Sequence, residues 1–307
     1  MSASVPIAKE VNGVRIEDTF AEAFGMTGTS VIITADSAKW ARQAAVTMTG
    51  FGTSVIGCGA ECGIDRDISP ENTPDGRPGV RVLLFGFAPD AVTPQLKNRV
   101  GQCVLTSPGS ACFNGLESDQ HIKLSTGVRY FGDGWQTSKK LGDKRYWRIP
   151  VMDGEFVIED EVGITTDSVG GGNLIILGRD RVGLLETTEA AVAAIAEVPD
   201  VITPFPGGIV RSGSKVGSKY NGVIASTNNA FCPTLRGTAE TSLDEDTVAV
   251  LEIVIDGLSN QAVSRAMAAG LKAITRDGAA KGVTRVSAGN YGGNLGPFHY
   301  HLKDLIS

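Results

Sequence analysis

From Val248 to Ile255 the chain reads Val248-Ala249-Val250-Leu251-Glu252-Ile253-Val254-Ile255, apolar at every position but one. A run this short and this rich in β-branched residues predicts a strand covered on both faces, with a single carboxyl trapped inside. Two other apolar triplets, Val31-Ile32-Ile33 and Leu174-Ile175-Ile176, predict buried strands of the same kind. Between these runs the spacing turns helical. Trp40, Ala44, Ala45 and Met48 predict a helix over 36–48, with Asp36 or Ser37 as its N-cap. Leu184, Leu185, Ala191, Ala194 and Ile195 predict another over 183–196.

The pattern occurs twice. Ile16-Glu17-Asp18 returns as Ile158-Glu159-Asp160, and the triplet at Val31 returns at Leu174. Phe51-Gly52-Thr53-Ser54-Val55-Ile56 answers to Phe205-Pro206-Gly207-Gly208-Ile209-Val210, each read as a turn entering a strand. Val82-Leu83-Leu84-Phe85 aligns with Val250-Leu251-Glu252-Ile253. A second helix follows in each half, near 90–101 and 259–275, and then a closing strand, Cys103-Val104-Leu105-Thr106 or Val283-Thr284-Arg285-Val286-Ser287. Strand, helix, strand, strand, helix, strand is the split βαβ order. The expected fold is therefore α+β: two ferredoxin-like lobes, 1–152 and 153–307, each with helices on one face of an antiparallel sheet. The less regular stretch 107–150, with the charged turn Gly142-Asp143-Lys144-Arg145, is expected to add a hairpin.

Burying a lone carboxylate costs several kcal/mol, so such a group raises its pKa and goes neutral. A neutral Glu252 is a proton donor. The competing structural role is a pair with a buried Arg or Lys. The repeat favours the functional role, because the aligned residue is Leu84 and the scaffold therefore needs no acid there.

With 307 residues, 42% hydrophobic and 20% charged, the chain can bury a sizeable core. Its net charge of −6 and lack of a basic run argue against nucleic acid and anionic membranes. No stretch is long and apolar enough for a membrane helix, and Met1-Ser2-Ala3-Ser4-Val5-Pro6 lacks a leader pattern, so a cytoplasmic place is expected. Five cysteines without paired CxxC spacing read as free thiols. His121, His299 and His301 stand apart from Cys58 and Cys62, so no metal site is expected.

Three polar segments could carry recognition. In Pro204–Lys219, Gly207 and Gly208 allow close backbone approach, while Ser212, Ser214, Lys215, Ser218 and Lys219 suit an anionic group. The spacing is not that of a P-loop. Ala225–Thr234 contributes Asn228 within an amide- and hydroxyl-rich stretch, which also reads as an Asx turn. Ser287–Gly296 contributes Asn290, Gly292 and Gly293. Cys232 has no nearby His in sequence to make it a nucleophile. Together these features fit a transferase without a prosthetic group, acting on a polar, partly anionic substrate.

The segments PFPGGIVRSGSKVGSK and ASTNNAFCPT, with Glu252 in its strand, resemble the formylmethanofuran:tetrahydromethanopterin formyltransferase family, and the resemblance runs over nearly the whole chain. It implies a homotetramer of two-lobed subunits. It implies reversible formyl transfer between the amine of methanofuran and N5 of tetrahydromethanopterin, both carriers being substrates, in one-carbon metabolism. The modest charge is closer to the bacterial members, which work beside other subunits of a formyltransferase/hydrolase complex in formaldehyde oxidation to formate. The family's strand carboxyl falls on Glu252, which becomes the expected catalytic residue, and the loop residues named above become expected substrate contacts. The alternative is a non-catalytic carrier-binding or assembly subunit.

Overall fold

A computed structural model describes residues 5–306. The expectation about a leader rests partly on residues 1–4, which lie outside them. The chain forms two compact units. One holds Gly25–Ser168 with Gly257–Ser259, and the other holds the residues up to Phe24, Val169–Asp256 and those from Asn260 on. The division falls inside two long strands, Phe20–Thr34 and Glu161–Gly178.

The first of these units runs strand, helix Ala38–Thr49, strand Glu61–Ile68, strand Gly79–Gly86, helix Pro89–Arg99, strand Ala111–Asn114. Strand Gly79–Gly86 lies between Glu61–Ile68 and the Phe20–Thr34 strand, which pairs with Ala111–Asn114 on its other side, all antiparallel. That neighbour order is the split βαβ topology the repeat predicted. Ser37 caps the first helix by accepting from the Trp40 N–H. Val31, Val82, Leu84, Met48 and Leu96 bury together between sheet and helices. Thr137–Leu141 and Lys144–Val151 form the expected hairpin. Residues 152 and 153 are the turn between Lys144–Val151 and Gly154–Glu159.

The other unit repeats the order with Glu161–Gly178, helix Arg181–Ala196, the short strand Val201–Ile202, strand Ala249–Gly257, helix Asn260–Asp277 and strand Val283–Ser287. Its sheet runs Val201–Ile202, Ala249–Gly257, Glu161–Gly178, Val283–Ser287. Leu174, Ile176, Leu184, Ile195, Ile253, Ile255, Met267 and Leu271 form its core, each such side chain contributing on the order of 1.5–3 kcal/mol. No helix among the described residues is long and apolar enough to cross a membrane.

Three expectations change. Phe51–Ile56 does not enter a strand directly: Ser54 accepts from the Ile56 N–H and opens a short helix, Val55–Cys58, before the strand at Glu61. Cys103-Val104-Leu105-Thr106 is not the closing strand. Val100 and Val104 are both fully buried at helical spacing and continue the helix through a wide π turn, so the strand comes later at Ala111. Phe205–Val210 is a turn that yields no regular strand, only a single bridge between Val210 and Glu252.

The repeat alignment at Glu252 also shifts. Val80, Val82 and Leu84 face the helices of their unit, as Leu251, Ile253 and Ile255 do in theirs. Successive strand residues alternate faces, so Glu252 points away from the helices and Leu84 cannot be its equivalent. Aligned on the strand ends Gly86 and Gly257, and on the helix starts Pro89 and Asn260, Glu252 corresponds to Arg81. Arg81 is itself an ionisable residue on a sheet face, paired with Asp65 at 2.9 Å.

Candidate active site

Glu252 sits in the middle of Ala249–Gly257, on the face opposite the helix core. Only 9% of it is exposed. Its side chain has neither a hydrogen bond nor an ion pair among the described residues. Burial therefore pushes its pKa from the ordinary 4.5 up to about 7. The structural alternative, a buried cation paired with it, is not found among the described residues.

Its backbone is held from outside the sheet. Val210 and Glu252 bond to each other in both directions, which brings Arg211, Ser212 and Gly213 up to the carboxyl. Asn228, Phe231 and Cys232 complete the wall, with Arg211 at the cavity without ion pairing to Glu252. The recess is ≈ 40 Å³, room for a few waters or one small acyl group. A much wider groove of ≈ 810 Å³ opens from it along Arg211–Ser214 and Ala225–Thr227. The shape admits a small reacting group to Glu252 while a larger body lies outside.

Tyr291, in the loop after Val283–Ser287, lies within electrostatic reach of this carboxyl. Burial first, then the charges of Glu252 and Glu22, push its phenol up to about 12, so it stays protonated and can donate. Its Oη donates to the Ser214 carbonyl at 3.2 Å, tying the 287–296 loop to the 204–219 loop.

The remaining predicted residues divide. Ser212 and Asn228 line the recess, and Ser214 lines the groove. Lys215 is half-buried and its Nζ donates to Asn229 Oδ1. Lys219 is exposed, and Ser218 Oγ accepts from the Tyr220 N–H. Gly207 and Gly208 lie in the turn Pro206–Gly208. The Gly208 N–H is already bonded to the Phe205 carbonyl, and a Cβ there would meet Val192 at 2.6 Å, so the structure places Gly208 against the helix rather than in the recess. Asn290 accepts from the Gly292 N–H, while the Gly293 N–H is bonded to Glu22.

Sequence reasoning missed Glu22, Tyr291, Arg211 and Phe231. Glu22 carried the signal that exposed Glu252, a single acid in an apolar strand, Phe20-Ala21-Glu22-Ala23-Phe24. Elsewhere a charged cavity lined by Lys123, Lys144, Glu117, Glu159 and Glu161 has those charges already paired with one another. Among the described residues no cluster of His, Cys, Asp and Glu could hold a metal ion.

The profile of the family described as formylmethanofuran-tetrahydromethanopterin formyltransferase matches residues 9–151, and that of its proximal lobe matches residues 154–305. A curated relative from Methylorubrum extorquens, one of the subunits of its formyltransferase/hydrolase complex, is 58% identical over 301 residues, covering 96% of this chain and 97% of that protein. A crystal structure of the complex from that organism, with methylofuran, has a chain of 57% identity and TM-score 0.95, covering 97% of this chain and 99% of its own. The formyltransferase of Methanosarcina barkeri superposes with TM-score 0.91 at 44% identity, covering 97% of this chain and 100% of its own.

Proposed function

Because the chain belongs to the formylmethanofuran–tetrahydromethanopterin formyltransferase family, and so is a formyltransferase, we propose that the Glu252 recess is where its formyl group changes carriers. The reaction moves formyl reversibly between the amine of a methanofuran-type carrier and N5 of tetrahydromethanopterin. One observation carries the assignment of the acid: Glu252 is buried without an ion pair among the described residues, and burial raises its pKa to about 7.

The N5 lone pair attacks the formyl carbon, and the carbonyl electrons move to oxygen. The tetrahedral intermediate then needs a donor for its oxyanion and a proton for the departing amine. Neutral Glu252 gives its proton to that amine nitrogen as the C–N bond breaks, and recovers one from N5. Tyr291, kept protonated, donates to the oxyanion by turning its single O–H away from the Ser214 carbonyl. The narrow recess excludes bulk water, which protects the formyl group from hydrolysis. The groove at Ser214 and Ser226 receives the carrier bodies, and we propose Lys215 and Lys219 as partners for carboxylates on their tails.

The oligomer we propose is the family's homotetramer, each subunit made of two ferredoxin-like lobes, working in the cytoplasm. The high identity to a subunit of a formyltransferase/hydrolase complex supports a place in such a complex, in formaldehyde oxidation to formate.

The test is formyl transfer between the two carriers by purified chain, followed by pterin absorbance. Glu252→Gln, which keeps an N–H donor but cannot pass a proton, is expected to lose roughly 10²–10³ in kcat, within the range of general acid catalysis. Glu252→Leu, which can neither donate nor carry a proton, should lose at least as much. Near-normal turnover by both variants would sink the assignment.

A further inference from the structure

Glu22 is an acid that the formyl-transfer mechanism leaves unused. It is 1% exposed, near the start of the Phe20–Thr34 strand, where it pairs with His299 of the neighbouring strand and its N–H donates to the Gly289 carbonyl. Among the described residues no cation pairs with it. Its carboxylate oxygens are satisfied by backbone instead. Oε2 accepts from the N–H groups of Tyr291 at 2.8 Å and Gly293 at 2.9 Å. Oε1 accepts from Leu295 and, at 3.2 Å, from Gly296. Four donors from six consecutive residues thus converge on one buried carboxylate. Burial alone would push its pKa up, but these four N–H bonds outweigh it and hold the group below the ordinary carboxylate range.

The loop it gathers has no regular secondary structure of its own. Gly292 and Gly293 adopt φ of 83° and 75°, conformations that other residues enter with strain. Gly296 passes so close to the Ala23 carbonyl that an added Cβ would lie 2.1 Å from the oxygen. This wrapping fixes where the Tyr291 ring goes. The phenol reaches across to the Ser214 carbonyl at 3.2 Å, in the loop that Val210 fastens to Glu252, and lies within reach of the Glu252 charge.

We propose that Glu22 is a positioning residue of the formyl-transfer site: its carboxylate gathers the backbone of Tyr291–Gly296 and thereby sets the Tyr291 phenol within reach of Glu252. The proposal rests on the reading of the Glu252 recess as the reaction site. Its own content is the Glu22–Tyr291 dependence, and that can stand or fall separately.

Glu22→Gln keeps the size of the side chain but replaces one acceptor oxygen by an N–H donor, so two of the four loop N–H groups lose their acceptor. In the full-length protein this variant should lower kcat/KM by roughly tenfold to 10²-fold, the scale of a misplaced catalytic contact. On a Tyr291→Phe background the same substitution should cost under about threefold, because the group it positions is already gone. Amide exchange at Tyr291, Gly293, Leu295 and Gly296 should speed up by about tenfold or more, with amides of Ala249–Gly257 unchanged. An equal loss in both backgrounds, or unchanged exchange in a folded variant, overturns the proposal. If Glu22→Gln does not fold, Gly293→Ala strains the same loop at φ 75° while leaving the carboxylate in place. It should show the same background dependence, and its absence counts against the proposal equally. Activity surviving in Glu252→Leu would reject the acid assignment, yet leave the Glu22–Tyr291 coupling to be decided by its own cycle.

Discussion

Val210 and Glu252 exchange both of their backbone hydrogen bonds, at 2.7 Å and 2.9 Å, although no strand continues beyond Val210. This single rung fastens the loop that carries Arg211, Ser212 and Gly213 to the residue that carries the acid. Val210→Pro removes the Val210 donor and leaves the Glu252 carbonyl without its partner. We expect kcat/KM to fall by roughly 10²-fold, with the far-ultraviolet dichroism of the protein retained. Full activity in a folded Val210→Pro protein would show that the rung does not hold the site.

The pH dependence of transfer follows from the protonation of Glu252. The acid that protonates the leaving amine must carry its proton, and its pKa lies at about 7 in the free protein. For transfer from the methanofuran-type carrier, kcat/KM should therefore fall as pH rises through about 7, the limb that reports the free enzyme's acid. In Glu252→Gln the residual activity should show no such limb. A wild-type profile that stays level from about pH 6 to 8.5 contradicts the assignment.

Stability should report the same group with a fixed sign. The folded pKa is raised above the ordinary 4.5, so between about 4.5 and 7 the folded protein keeps a proton that the unfolded chain has lost. The stabilisation is complete below 4.5 and is lost as pH rises through 7. It amounts to on the order of 3 kcal/mol. Urea unfolding of wild type and Glu252→Gln across this window should show wild type losing that much relative to the variant. Parallel curves would mean that Glu252 ionises normally.

Arg285 and Glu17 form an ion pair at 2.8 Å, with side chains 6% and 2% exposed. Burial pushes the Glu17 pKa up, and the Ser287 hydrogen bond and the Arg285 charge act against it. Arg285→Met leaves a buried acid without its cation and should destabilise by about 3–5 kcal/mol. The double variant Arg285→Met with Glu17→Leu should recover most of the loss, since removing both charges removes the desolvation problem. Chemical denaturation of the three proteins tests this, and a double variant as unstable as the single would contradict it.

Gly296→Ala tests the close approach of loop and strand. The new methyl would lie 2.1 Å from the Ala23 carbonyl oxygen, a backbone atom with little freedom to move. The loop must detach from Glu22 to make room. A loss of roughly 1–3 kcal/mol in stability and a kinetic defect like that of Glu22→Gln are expected from thermal melts and initial rates.

Much of the architecture was written in hydrophobic spacing. The order of both βαββαβ successions, the cap at Asp36 or Ser37 and the buried acid at Glu252 follow from periodicity, because burial of one face is a property that local sequence records, although three of the eight strands lie elsewhere than the spacing put them. Where spacing misled, two periods competed over a short stretch: Val100 and Val104 fit a helix as well as the apolar run fitted a strand. The site was legible only as separate polar segments. That Ser212 and Asn228 meet at Glu252 while Gly208 turns toward Val192 is decided by contacts between residues distant in the chain.

The acid itself shows the division most clearly. The sequence alone determined that Glu252 would be buried, since every other residue from Val248 to Ile255 is apolar. It could not determine whether a cation would share the burial, and it paired Glu252 with Leu84 when strand ends and faces pair it with Arg81. Only the tertiary structure decided that Arg81 has Asp65 as its partner while Glu252 has no ion partner among the described residues. The physical reason is that desolvation is set by local chain pattern, whereas charge compensation depends on which distant side chain the fold brings within a few ångströms.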